Sequence, residues 1–425
     1  MAWRIRNPRV VLGLLTALNL VNYLDRFVLS AVIAPVQDDL HLSNFVAGLL
    51  PAIFLIGYFA TSPLFGIRGD RASPGGRNGL IAAGVAAWSV GTVGSGLAVG
   101  AGSMVASRAL VGVGEASYAT LAPSLIDEVA PPTREAAWMA VFSVAMPVGS
   151  ALGYLVGGLM LHTHGWRAAF FVAGGPGLAA ALLCLLVQTP SRAPTLKAHR
   201  VDLLETARAL AREPLYRRTV LGYAAYTFAM GGFAFWAPKY LHERYGMESG
   251  VASVRFGLVT VLGGLIGTLV GGWVANWAVR AELRALEHGA GEALERRRDA
   301  AVARGNLRVC MLGAALGAPL AAIAVAAPSP PIFFAALLPC EVALFLLSGP
   351  SNVAILRSAP PAMRASAMAL AIFAIHALGD LWSPAIIGLV ADHAPMRVAL
   401  VAVPIVFAIA ALTWRKPRFA SVGLT

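Results

Sequence analysis

Cysteine is nearly missing: the 425 residues hold three, Cys184, Cys310 and Cys340. Each lies inside an apolar stretch and no two stand at metal-ligand spacing, so they read as buried free thiols. Charge is scarce as well, at 13% of residues against 58% hydrophobic, where a soluble domain carries roughly 25% charged residues. A soluble protein of this size could not cover so much apolar surface, but a bilayer could. Acid is scarcer than base, 21 Asp and Glu against 33 Lys and Arg, for a net charge of +12. That excess invites a nucleic-acid reading. The reading fails on distribution, because the basic residues flank apolar runs and form no single face. No Gly-x-x-x-x-Gly-Lys-Ser/Thr run is present to cradle a nucleotide, no His-Glu-x-x-His to hold zinc and no Gly-x-Ser-x-Gly elbow. ATP-driven pumping and hydrolytic chemistry therefore have no support, and neither an enzyme nor a cofactor is expected. A cleavable leader is not expected either: the first apolar run is too long for one and lacks an Ala-x-Ala-like end.

What the chain has instead is apolar runs long enough to cross a membrane, which takes about 20 residues each. They lie near 10–35, 44–67, 78–99, 103–127, 135–161 and 167–188, then 215–241, 251–279, 305–326, 332–356, 364–391 and 396–414. The spacing predicts an all-α polytopic membrane protein of about twelve spans. It divides into a first half, 1–188, a polar linker, 189–213, and a second half, 214–425. Within the linker, 201–211 has helical apolar spacing and predicts a surface helix. The Glu- and Arg-rich segment 280–304 also reads as helical. With both termini inside, 26 of the 33 basic residues fall on inner segments and five on outer loops, a lopsided bias that predicts N-in, C-in topology.

An internal repeat relates the halves. Ala130-Pro-Pro-Thr-Arg134 precedes the fifth span and Ala359-Pro-Pro-Ala-Met-Arg364 the eleventh, and the offset of 230 also carries Gly149 onto Gly379. Two similar six-span halves joined by a basic linker match the parallel-repeat plan of secondary transporters, with a substrate site near the midplane.

Several motifs then point to a family. Gly66-Ile-Arg-Gly-Asp70-Arg71 with Gly76-Arg77 resembles the cytoplasmic signature of major facilitator transporters. Arg108-Ala-Leu-Val-Gly112-Val-Gly114-Glu115-Ala116 resembles their fourth-span signature, and Pro147-Val-Gly149 with Gly153, Gly157 and Gly158 their fifth-span one. Within that superfamily the chain is most similar to the spinster family. The match rests on Asn22-Tyr-Leu-Asp25-Arg26, Gly114-Glu115-Ala-Ser-Tyr118 and His376-Ala-Leu-Gly379-Asp380 followed by Ser383-Pro384. The resemblance implies the major facilitator fold, a monomer, and proton-linked transport of lysolipids or sphingoid phosphates such as sphingosine 1-phosphate. A composition rich in Ala, Arg and Gly points to a bacterial member in the cytoplasmic membrane, which need not share that substrate.

Charge inside a membrane helix costs roughly 2.5–3.5 kcal/mol per residue and is a functional signal by default. Asp25, Arg26, Arg108, Glu115, Glu341 and Asp380 all sit in apolar runs, with His376 one turn from Asp380. Arg108 and Glu115 are two turns apart on one face, about 10 Å, too far for direct contact. Asp25 and Arg26 point about 100° apart on span one. Asp25 and Glu115 are therefore the candidate proton-coupling carboxylates. Arg26, Arg108, Glu341, Asp380 and His376 are the candidate substrate contacts, an arginine holding an anionic headgroup or, with the site empty, a carboxylate. The structural alternative is a set of fixed ion pairs. Asp70, Arg71 and Arg77 are the candidate cytoplasmic gate. Asn276 stands where the second half would repeat Asp70, so the first-half lock is expected to dominate. Gly149, Gly153 and Gly157, four apart, predict a groove for a neighbouring helix. Three rivals stay open: a carrier of another organic anion or drug, a channel or scramblase, and a receptor or scaffold that no longer transports.

Overall fold

Ser43 and Ser73 show why apolar runs begin where they do: each hydroxyl accepts the backbone N–H three residues on, from Val46 at 3.2 Å and Gly76 at 3.2 Å. Asn7 caps the first helix through Arg9 N, and Pro8 and Pro74 occupy first turns, where a missing N–H costs nothing. The computed structural model describes residues 5, 7–131, 134–187, 203–284 and 292–415. Among these it has twelve helices long and apolar enough to span a bilayer: Pro8–Leu40, Asn44–Gly69, Gly75–Gly96, Ala101–Val129, Val141–His164, Trp166–Leu186, Pro214–Tyr245, Ser249–Arg284, Leu294–Ala326, Pro330–Arg357, Ser366–Ala391 and Met396–Trp414. They are numbered here as spans one to twelve. Each coincides with a run read from the sequence, and the chain is an all-α, polytopic membrane protein.

Burial separates inner helices from lipid-facing ones. Two-thirds of span one's apolar window is buried, 67%, against 28% for spans two and eight. Leu269, Trp273 and Trp277 of span eight are more than two-thirds exposed. In water such a stripe would be a liability; in a bilayer it is the solvated face. The linker helix forms as Leu203–Arg212 and buries Leu210 against Tyr216, Val220 and Ile355. The polar segment after span eight is helical to Arg284 and again from Glu292, and 285–291 lie outside the described residues.

Packing divides the chain into two units that do not follow the sequence halves. The first joins Met1–Ala198 with Ala234–Val261 and Pro384–Ala399; the second joins His199–Phe233, Leu262–Ser383 and Leu400–Thr425. The cause within the first unit is close backbone contact. Spans five and eight cross at Gly158 and Gly250, where a Cβ on either would lie 2.5 Å from the other's carbonyl oxygen. Ser253 donates to Ala31 O at 2.6 Å and Tyr154 to Ala234 O at 2.7 Å. The Gly149–Gly153–Gly157 groove receives span one: added Cβ atoms would come within 2.5–2.7 Å of Leu20 O, Leu24 O and the Ala31 side chain. The N-terminal segment lies beside the end of span six, Ile5 N donating to Leu186 O at 2.8 Å.

In the second unit, Gly263 and Gly267 of span eight meet Glu341, Val342 and Phe345 of span ten in the same manner. Span ten is interrupted between Phe345 and Ser348. Span eleven is broken at His376–Asp380 by a wider turn in which Gly379 leaves helical geometry at φ −109°, ψ −108°. Such a turn inside a membrane helix frees backbone groups and frequently marks a functional site.

Candidate functional site

The first unit brings Asp25, Arg26, Arg108 and Glu115 together as two crossed ion pairs between spans one and four. Arg26 Nε donates to Glu115 Oε2 at 2.7 Å and its Nη2 lies 2.6 Å from the same oxygen. Asp25 Oδ1 lies 3.6 Å from Arg108 Nη2, while Asp25 Oδ2 accepts the Thr92 hydroxyl at 2.6 Å. Arg108 in turn donates to Ser95 Oγ through Nε at 3.1 Å and Nη2 at 2.9 Å. The roughly 100° between Asp25 and Arg26 sends them to different partners, and the two turns between Arg108 and Glu115 separate the pairs.

Glycines make this approach possible. A side chain on Gly112 would collide with Phe54 O of span two, and one on Gly114 with Trp88 N of span three. The Gly-x-Gly of the fourth-span motif thus draws two neighbouring helices onto the charged segment. Phe54 and Tyr58 arrive with span two, and with Tyr23 they place three rings around the Arg26 guanidinium at 4.9, 5.6 and 5.2 Å. Arg108 lies 5.5 Å from the centre of the Phe170 ring.

Burial is near total except at one member. Asp25 and Glu115 are fully buried and Arg108 is 3% exposed, whereas the Arg26 side chain keeps 25% exposure. Glu115 Oε1 and the amide of Asn22 are buried within reach of one another but form no well-shaped hydrogen bond. A buried carboxylate oxygen held only by a poorly aligned amide is costly to keep charged.

The other sequence candidates lie elsewhere. His376 Nδ1 sits 2.8 Å from Asp380 Oδ1, both side chains about one-third exposed, on the broken turn of span eleven in the second unit. Glu341 is buried in span ten against Gly263. At the ends of spans three and four, Arg77 makes a two-pronged bond to Glu128, 2.5 Å on each arm. Arg71 is exposed, and the Asp70 side chain is outside the described residues.

Sequence reasoning missed several members. Thr92, Ser95, Phe54 and Tyr58 lie in no motif, because hydroxyl and aromatic residues are ordinary in membrane helices, and Tyr23 lies within the first-span motif without a role assigned to it. Sequence reasoning expected the first-half lock to dominate and named no charged partners for one in the second half. The second unit holds two charge clusters of its own: Glu282 with Arg304 and Arg308, and Asp299 with Arg357 and Arg364. Asn276 is uncharged, and the carboxylates of these clusters come from the Glu- and Arg-rich segment that follows it. Among the described residues, no three His, Cys, Asp or Glu side chains gather as a metal site.

The sequence profile of the Major Facilitator Superfamily matches residues 15–384. The chain is 31% identical over 415 residues to protein spinster homolog 1 of Homo sapiens, covering 90% of this chain and 73% of that protein. It is 31% identical over 405 residues to protein spinster of Drosophila melanogaster, spanning 62% of that longer protein and 91% of itself. A relative of Arabidopsis thaliana, the probable sphingolipid transporter spinster homolog 2, is 28% identical over 91% of this chain and 81% of its own length. In fold, the chain matches the crystal structure of a bacterial homologue of the human lysosomal transporter spinster, inward-facing and unoccupied. The TM-score is 0.78 with 96% of each chain covered, at 21% identity.

Proposed function

The chain belongs to the major facilitator superfamily and within it to the spinster family, transporters and not enzymes, and from that premise we propose that it is a proton-coupled carrier of an amphipathic anion. Its substrate class is a lysolipid or sphingoid phosphate, moved by alternating access. The Arg26–Glu115 pair carries this reading: it joins a fully buried carboxylate to a guanidinium that keeps solvent contact inside three aromatic rings.

With the site empty, Glu115 neutralises Arg26. A proton on Glu115 removes that partner, and the released guanidinium takes the anionic headgroup of a substrate whose apolar part rests on Tyr23, Phe54 and Tyr58. Substrate and proton are thereby linked through one cation, because a bare buried charge is penalised heavily. Asp25 is the second coupling carboxylate, held by Thr92 and Arg108. The name of the Arabidopsis relative, a probable sphingolipid transporter, supports the lipid class. His376, Asp380 and Glu341 belong to the substrate path of the second half, with Asp70, Arg71 and Arg77 at the cytoplasmic gate. The basic-residue bias favours a bacterial cytoplasmic membrane with both termini inside. The protein is proposed to act as a monomer, with protons as the coupling ion and no cofactor.

Reconstituted in liposomes, the protein is expected to move protons when lysophospholipids or sphingoid phosphates are added, and Glu115→Gln is expected to reduce that movement to background. Uphill transport by Glu115→Gln with an unchanged pH profile would sink the coupling. A response to drugs or other organic anions, and to no lipid, would redirect the substrate class. A pH-insensitive leak would indicate a channel or scramblase, and no flux of any solute a receptor or scaffold.

A further inference from the structure

The outer ends of spans one and two are held by two charged side chains that the coupling site does not use. Lys239, near the end of span seven, is 11% exposed and donates through Nζ to Gln37 Oε1 and Asn44 Oδ1, each at 2.6 Å; Glu243 lies 3.3 Å away. Gln37 also donates to Asn44 Oδ1 at 3.1 Å and to Leu42 O at 3.2 Å, so these amides form one network at the turn between spans one and two. Asp392, just past span eleven, accepts the first two backbone N–H groups of span two: Asn44 N at 2.7 Å and Phe45 N at 3.0 Å. A carboxylate there meets the positive end of the helix dipole and unpaired donors together.

Around these groups the contacts are small and apolar. Gly48 abuts Pro384 and Ala385, Gly388 abuts Asn44 O, and Trp236 Nε1 donates to Pro384 O at 2.8 Å. Close-packed glycine contacts carry no directional specificity of their own. The ionic contacts supply it: span seven contributes a cation for a pair of neutral amides, and span eleven an anion for a helix terminus.

We propose that Lys239 and Asp392 are the outer latch of the transport cycle, the two second-half side chains that hold span two shut and must let go for the outer face to open. This rests on the alternating-access reading above. Across to spans one and two each side chain bonds only to neutral groups, and the anion beside Lys239, Glu243, is on the same helix and moves with it, so release leaves no ion of opposite sign stranded. A coupled cycle that must cross this state repeatedly requires a latch that opens at low cost.

The test uses the full-length protein with Ala47→Cys, a buried position one turn inside span two, as reporter. The three native cysteines are buried and give a low background. A membrane-impermeant maleimide is applied in proteoliposomes, with and without an imposed pH gradient. Lys239→Met and Asp392→Ala are each expected to raise labelling about tenfold or more, since one lost charge-assisted bond is worth at least that much in a two-state ratio. Asp392→Asn keeps an acceptor and should fall between, and Lys239→Arg should stay near the parent. Thermal unfolding of each variant in detergent separates opening from misfolding. If the pH gradient moves the parent reporter while both latch variants label as the parent does, the latch is wrong and alternating access stands. A parent reporter that never moves under any gradient, with latch variants equally silent, overturns both.

Discussion

In the first six-helix half, two carboxylates and two guanidiniums pair across spans one and four, three of the four almost fully buried and only Arg26 a quarter exposed. In the second half, His376 and Asp380 pair within one broken span and stay about one-third exposed. The first arrangement joins separate helices that glycines hold in close contact, so the charges can be buried only as a set. The second sits on an irregular turn, where loosened backbone keeps water near. Similar sequence repeats have thus been put to different physical use: one half holds charge in a close-packed core, and the other holds it at an irregular turn.

The largest expected effect tests the close-packed core. Arg108→Ala should leave Asp25 buried beside Thr92 without its cation and cost about 3–5 kcal/mol. Thermal unfolding in detergent measures this, and a second change, Asp25→Leu, should recover part of the loss. Indifference to Arg108→Ala would erase the contrast between halves. Glycine packing should come next and be symmetric. Gly153→Ala in span five and Gly267→Ala in span eight both force a Cβ within about 2.7 Å of a facing carbonyl oxygen, at a cost of about 1–3 kcal/mol each. A marked inequality in unfolding temperature would show that one half absorbs strain more easily. The smallest effect is expected at the broken turn: His376→Ala should change stability by less than about 1 kcal/mol, as partly exposed pairs do. Its consequence should appear in transport velocity instead, and a large loss of stability would place this pair with the core.

Most of the architecture was legible because a bilayer imposes a length on every apolar run, and all twelve runs appear as helices. The charged residues were legible for the same reason, as costly exceptions. Their partners were not. Spacing showed that Asp25 and Arg26 must diverge and that Arg108 and Glu115 cannot touch. It could not show that span four answers span one in crossed order, because that depends on how Gly112 and Gly114 seat spans two and three. The charge clusters at Glu282 and Asp299 were hidden differently. A repeat search looks for the same residue at the same offset, whereas electrostatics requires only a carboxylate within reach of an arginine. The break in span eleven had a signal in Gly379 and Pro384; the interruption in span ten falls at Leu346 and Leu347, which carry none.

The crossed pairs have one more consequence, in the language of voltage. Two guanidiniums and two carboxylates sum to zero, so the empty core gives an electric field nothing to pull. On the proposed mechanism one bound proton would make it +1, a load that feels about 2.3 kcal/mol for each 100 mV it traverses, and a singly charged anion beside Arg26 would return it to zero. The stoichiometry of the cycle can therefore be read as current: a monoanion carried with one proton should cross silently, and any unpaired passage of either should register on an electrode.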